Sequence, residues 1–121
     1  MNLTLPWPPP TLSPNRRVHW ARLAKAKAAY RYACRIETLR LTTAKERGLP
    51  TGQLLLSMEF APPDRRSYDR DNLLARCKAG LDGMCDALGI DDRRFASVTV
   101  RVGEPVAGGM VWVTIAREVT P

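Results

Sequence analysis

Two pairs of aspartates carry the chemistry this chain could do. Asp69 and Asp71 form a D-x-D with Arg65, Arg66 and Arg70 close by. Asp91 and Asp92 are adjacent and run straight into Arg93 and Arg94. Carboxylate oxygens are hard donors for a divalent cation, and guanidinium groups match phosphate oxygens. Together they are the parts of a metal-dependent phosphodiester-cleaving site. The same residues would also make two solvated loops of mixed charge, and residue types alone leave both readings open. With His19 the sole histidine, a histidine-rich centre is excluded, and Cys77 and Cys85, without C-x-x-C spacing, read as core rather than as ligands. Any metal held here is oxygen-ligated, Mg²⁺ or Mn²⁺.

A helix must lie between the pairs. Leu74, Cys77, Leu81, Met84 and Leu88 step by three and four, which draws one apolar stripe over about Asn72 to Leu88. At ~100° per residue, Asp71, Lys78 and Asp82 share a different face within ~40° of one another. Asp71 or Asn72 suits the N-cap, and Gly89 followed by Ile90 suits a Schellman stop. Gly80 and Gly83 are costly inside a helix, by ~1 kcal/mol each relative to alanine. Their presence predicts a close approach of some other segment to this backbone. If the D-x-D is extended, Asp69 and Asp71 point the same way. Tyr68 beside it either stacks on a base or covers the core.

The stretch resembles the RusA family of Holliday junction resolvases of phages and prophages. The resemblance rests on Pro63-Asp64-Arg65-Arg66, Asp69-x-Asp71-Asn72-Leu73, Leu81-Asp82-Gly83 and Asp91-Asp92, in that order. Leu5-Pro6-Trp7-Pro8-Pro9 and Ser13-Pro14-Asn15 are similar to the family's opening. The resemblance implies a homodimeric, magnesium-dependent endodeoxyribonuclease that nicks four-way DNA junctions in pairs. Asp69, Asp71, Asp91 and Asp92 would be the metal ligands, with Asp69, Asp71 and Asp92 also catalytic. The family's catalytic lysine falls on Ala75 in this chain. Lys78, one turn further on, is the expected substitute, with Arg76 as the other candidate. The departure also leaves room for a second reading, a junction-binding protein that keeps the fold without cutting.

Charge places the nucleic acid. The chain of 121 residues has a formal net charge of +7. Residues 1–50 hold ten Lys+Arg against two Asp+Glu, whereas residues 51–121 hold nine against ten. The basic half is the polyanion-binding candidate. Its densest part is a predicted helix from about Arg17 to Arg47, where Arg16, Arg17, Arg22, Lys25 and Lys27 are expected on phosphate, joined later by Arg65, Arg66, Arg70, Arg76, Arg93 and Arg94. Trp20, Leu23, Lys27, Tyr30 and Cys34 lie at helical spacing on one face. His19 reads by default as a core or surface packing residue, with a DNA contact as the other reading.

The remaining segments read as strands: Leu3 to Trp7, ended by prolines; Leu54 to Phe60, with Leu54, Leu56, Met58 and Phe60 on one face; Ala96 to Val102, with Val98, Val100 and Val102 inward; and Met110 to Ala116. The last two read as an antiparallel hairpin with a long loop. The order β-α-β-α-β-β predicts an α+β fold, a single layer sandwich in which two helices pack a small mixed sheet, formed by one domain over residues 1–121. Cys34, Cys77 and Cys85, an odd number without a visible signal peptide, point to reduced thiols in a cytoplasm. No apolar run has the ~20 residues of a membrane span, and no small-molecule cofactor is implied.

One geometric consequence concerns assembly. An unbroken helix over Asn72–Leu88 would be ~25 Å long, leaving Asp71 and Asp92 at opposite ends and unable to share a cation. Either the helix breaks at Gly80 or Gly83, or two subunits pair their helices so that Asp71 of one meets Asp92 of the other. The composite site is the preferred expectation, with Gly80 at the helix–helix crossing.

Overall fold

Leu54, Leu56, Met58 and Phe60 are all almost wholly buried, as a period of two requires of a strand with one covered face. They sit in the middle of the sheet that carries the molecule. The computed structural model describes residues 1–119. Its elements are β1 (Asn2–Pro6), α1 (Trp20–Leu41), α2 (Ala44–Arg47), β2 (Leu54–Ala61), α3 (Arg70–Arg76), α4 (Lys78–Leu88), β3 (Phe95–Val102) and β4 (Met110–Arg117), with 3₁₀ turns at Pro10–Leu12 and Asp92–Arg94. This is the expected α+β order around a four-stranded mixed sheet. No helix among the described residues is long and apolar enough to cross a membrane.

The sheet runs β1-β4-β2-β3. β4 is antiparallel to both β1 and β2, while β2 and β3 are parallel. The expected β3–β4 hairpin therefore does not form. The connecting loop is held across the end of β2, with the Gly103 N–H donating to Phe60 O at 2.9 Å and the Val106 N–H to Pro62 O at 2.9 Å. β4 is delivered to the far side of β2, where Val111, Val113 and Ile115 gain full burial. β3 is left as an edge strand. Its valines do face the covered side, in register with Leu56, Met58 and Phe60, and Val100 packs against the core, but Val98 is 45% and Val102 36% exposed, because the helical layer covers only part of that edge.

The basic helix is shorter than its composition suggests. It ends at Leu41, and Thr43 opens a separate short helix, α2, with a reciprocal capping box to Glu46. A side-chain cap at Thr43 competes with continued helix, and it prevails.

Gly80 and Gly83 explain how the helical layer closes. α1 lies directly on α4. A Cβ at Gly80 would meet the Tyr30 ring and stand 2.8 Å from Cys34 Sγ. One at Gly83 would collide with the Arg31 carbonyl oxygen. The predicted close approach is real, but the approaching segment is α1 of the same chain rather than a partner's helix. Arg31 then reaches over α4 to Asp86 in a two-bond ion pair of 2.7 and 2.9 Å. The same core buries the Tyr30 hydroxyl, which donates to Pro6 O at 2.7 Å. The thiols of Cys34, Cys77 and Cys85 are buried and free.

Candidate active site

The site is built where helix, turn and edge strand meet. The predicted long helix is broken, at Cys77 rather than at either glycine. Cys77 sits at φ −86°, ψ −5° and its N–H is shared between Leu73 O at 3.0 Å and Leu74 O at 3.1 Å. That flattened turn ends α3, and α4 starts at Lys78. At the other end, Gly89 takes the left-handed conformation (φ 67°) and the Ile90 N–H returns to Cys85 O at 3.1 Å, the Schellman stop read from the sequence. The chain then turns back along α4.

Bend and reversal together change the relation of the acidic pairs. Asp71, Ala75, Lys78 and Asp92 line one cleft of about 490 Å³, walled by Leu74, Leu81, Phe95 and Val98. Asp71 and Asp92 therefore face a common space within one chain. The premise of the composite site, an unbroken helix holding them apart, does not hold. Lys78 stands between them: its ammonium donates to Asp92 Oδ2 at 2.9 Å and to Asp82 Oδ1 at 3.2 Å. Hydrogen bonds to Asp92 and Asp82 hold its pKa above the usual lysine value, the effect of Asp92 being the larger. Leu74, Leu81 and Val98 read from the sequence as core-facing positions, not as walls of this cleft, and Phe95 had no such reading. Val98 carried a signal in its parity, but only the edge position of β3 turns that parity toward the cleft.

The other acids are placed differently. Asp69 is the N-cap of α3, accepting from the Asn72 N–H at 3.1 Å. The cap is thus neither Asp71 nor Asn72, and Arg70 and Asp71 are helical rather than extended. Asp69 and Asp71 still border a common shallow depression beside Tyr68. Asp91 is drawn away. It takes two bonds from the Arg93 guanidinium at 3.1 and 3.0 Å and one from the Arg93 N–H at 2.8 Å. These hold its carboxyl well below the usual carboxylate range, and it does not line the cleft. Asp64 is likewise engaged, by Arg66 and by the Tyr68 hydroxyl at 3.0 Å, and falls to about 2. Tyr68 stands edge-on to Trp7, 5.6 Å between ring centroids, so it covers the core.

The arginines divide in the same way. Arg76 is 7% exposed. Its guanidinium lies 5.7 Å from the Trp7 ring centroid and donates to Pro8 O at 2.7 Å. It tethers the proline segment and is not a free phosphate contact or a substitute for the missing lysine. Burial lowers its pKa, and its Nε has no partner among the described residues. Arg94 is also committed, donating to the carbonyls of Pro50 and Gly52. Arg66 and Arg93 are paired with neighbouring aspartates, while Arg65 lies 3.6 Å from Glu104 with both side chains exposed. Arg16, Arg17, Arg22, Lys25, Lys27 and Arg70 make no ion pair among the described residues and are exposed. Arg16 and Lys27 line a second cleft, about 350 Å³, that shares Ala75 and Lys78 with the first.

A divalent cation can be tested against these donors. Among the described residues no three Asp, Glu, His or Cys side chains converge. Mg²⁺ does not need three, since it keeps several waters and takes one or two carboxylates plus substrate phosphate oxygens. Asp71 and Asp92 supply that number to one cleft, with Asp69 beside Asp71. The donor set fits a hard cation bound together with a phosphate.

No family model matches the chain. A curated protein of Xylella fastidiosa, described as uncharacterized, is 49% identical over 117 residues, which cover 94% of this chain and 74% of that protein. The chain belongs to that protein's family. Identity at this level over nearly the whole chain means that the two share a fold.

Proposed function

We propose that the chain is a metal-dependent endodeoxyribonuclease that resolves four-way DNA junctions, as its similarity to the RusA resolvases implies. The observation that carries this reading is the meeting of Asp71, Asp92 and Lys78 in one cleft, next to a second cleft lined by Arg16 and Lys27. In it, Asp71 and Asp92, with Asp69 alongside, hold Mg²⁺ or Mn²⁺. The bound cation would polarise the scissile phosphate and lower the pKa of the attacking water. Lys78 offers an ammonium to charge that builds on the phosphate oxygens as the bond breaks. Ala75 and Lys78 line the same two clefts, so a lysine at 78 serves the space a lysine at 75 would. Arg16 and Lys27 lead the strand in, and Leu74, Leu81, Phe95 and Val98 limit water on the far side. Each subunit of the proposed homodimer has a complete site, so two subunits make the paired nicks. Three free thiols suit a cytoplasmic setting.

One observation favours the non-cutting alternative. Lys78 is ion-paired to Asp92, and a cation must displace it there. The experiment is incubation of a synthetic four-way junction with wild type, Asp71→Asn and Asp92→Asn, each with Mg²⁺ and with EDTA. Metal-dependent nicks by wild type alone, with binding kept in both variants, are expected. Wild-type binding without nicks would leave a junction-binding protein.

A further inference from the structure

Trp20 is the most conspicuous residue that the proposed cleavage does not use. It is the first residue of α1 and is 76% exposed. By helical spacing it belongs to the face that Leu23, Lys27, Tyr30 and Cys34 continue. Tyr30 and Cys34 are buried, Leu23 is half-buried, and Lys27 lines the second cleft. The face thus starts in the core and runs out past it, carrying a large apolar ring beyond the body of the molecule. His19 lies against that ring, 5.6 Å between centroids at a 31° tilt.

The sequence around the ring carries one sign of charge. No acid occurs before Glu37. Arg16, Arg17, Arg22 and Lys25 are exposed and unpaired among the described residues. Lys27, two turns along the same face and ~10 Å away by helical rise, borders the cleft that shares Lys78 with the acidic site. A bare aromatic face among cations, leading into an acid-bearing cleft, has the chemistry of a nucleic-acid stacking platform: π-face for the base, cations for the backbone. A second copy of this chain is the poorer occupant. A two-fold contact through Trp20 would set Arg16, Arg17 and Arg22 against their own copies, like charge on like.

We propose that Trp20 is a base-stacking residue, with Arg16, Arg17, Arg22 and Lys25 gripping the adjoining phosphates, so that α1 selects DNA with an unstacked base near the branch. The inference rests on the junction-nuclease reading for its substrate and adds to it a residue that chooses where the strand is held.

The test is binding in EDTA, where no cutting occurs, to a four-way junction with 2-aminopurine at the branch, compared with continuous duplex carrying the same base. Trp20→Ala is expected to weaken junction binding by about 10-fold or more and duplex binding by under about 2-fold. Trp20→Phe should keep most of the affinity. The slope of log K against log salt should be unchanged in both, since no phosphate contact is removed. Quenching of 2-aminopurine emission seen with wild type should vanish in Trp20→Ala. Equal loss on the two DNAs, or loss on neither, overturns the proposal. So does a Trp20→Ala protein that shifts from dimer to monomer in sedimentation while the base-selective effect is absent, since the ring then covers a subunit contact. Wild-type nicking with Mg²⁺ is scored separately. Branch-selective loss in EDTA without any nicking would sink the nuclease reading and keep the stacking residue; nicking without selective loss would do the reverse.

Discussion

Lys78→Ala separates a catalytic ammonium from a surface ion pair. The side chain is 61% exposed and bonds to Asp92 at 2.9 Å and Asp82 at 3.2 Å. Exposed pairs of this kind contribute ~0–1 kcal/mol to stability. The fold should survive, with the melting temperature down by at most ~4 °C. If the ammonium meets charge developing on the phosphate, its loss removes a stabilising group from the transition state. The single-turnover rate then falls by ~100-fold, about 2.7 kcal/mol of barrier. Junction affinity in EDTA should change by less than ~3-fold, because several cations remain on α1. The double variant Ala75→Lys/Lys78→Ala adds a positional check. Ala75 is exposed and lines both clefts that Lys78 lines, so a lysine there has room to reach the same phosphate. It should recover ~10-fold or more of the lost rate. The assay is rapid quench on a labelled junction with enzyme in excess, beside a thermal melt. Lys78→Ala nicking at the wild-type rate refutes the assignment. A fall in affinity with the rate intact makes Lys78 a phosphate contact only.

Mixed dimers of Asp71→Asn and Asp92→Asn subunits should regain no nicking, since Asp71 and Asp92 of the same chain line one cleft; recovery after confirmed subunit exchange would restore the composite arrangement. Gly83→Ala gains ~1 kcal/mol in helix propensity but forces its methyl into the Arg31 carbonyl. A net loss of roughly 1–3 kcal/mol is expected, with a fall of ~4–12 °C in a melt; a protein as stable as wild type would mean that α1 and α4 are not packed this closely. Burial pushes Cys34 up to about 12, Cys77 to about 11 and Cys85 to about 12. The folded state thus favours the neutral thiols, and the stability this adds is present below the ordinary thiol value of ~8.5 and is lost as pH rises through 11–12. Native protein at pH 8 should resist iodoacetamide and label fully in denaturant, and its melting temperature should fall as pH goes from 8 to 10.5; prompt native labelling would contradict the buried placement.

The features legible without coordinates lie within a few residues of their cause. The alternation of Leu54 to Phe60 made β2, and the three-four stepping of Leu81, Met84 and Leu88 made α4. Gly89 with Ile90 wrote its stop. The Lys78–Asp82 pair follows from helical geometry alone, and two glycines one turn apart announced a close approach. The resemblance to the resolvases rests on residue types in order, which also needs no coordinates. Tertiary structure decided everything that depends on distant partners. The Asp69 cap and the turn at Cys77 ended the idea of one long helix. β4 lies between β1 and β2, where Val111, Val113 and Ile115 are buried, and β3 pairs only with β2 at the edge instead of forming a hairpin with β4. Arg76 looked like any other arginine beside the acids until Trp7 and Pro8 folded over it. Asp91 and Asp92 are neighbours in the chain, yet one turns to Arg93 and the other to Lys78. An ion's choice of partner depends on Coulomb and hydrogen-bond terms that are decided over a few ångströms, and only the folded chain sets those distances.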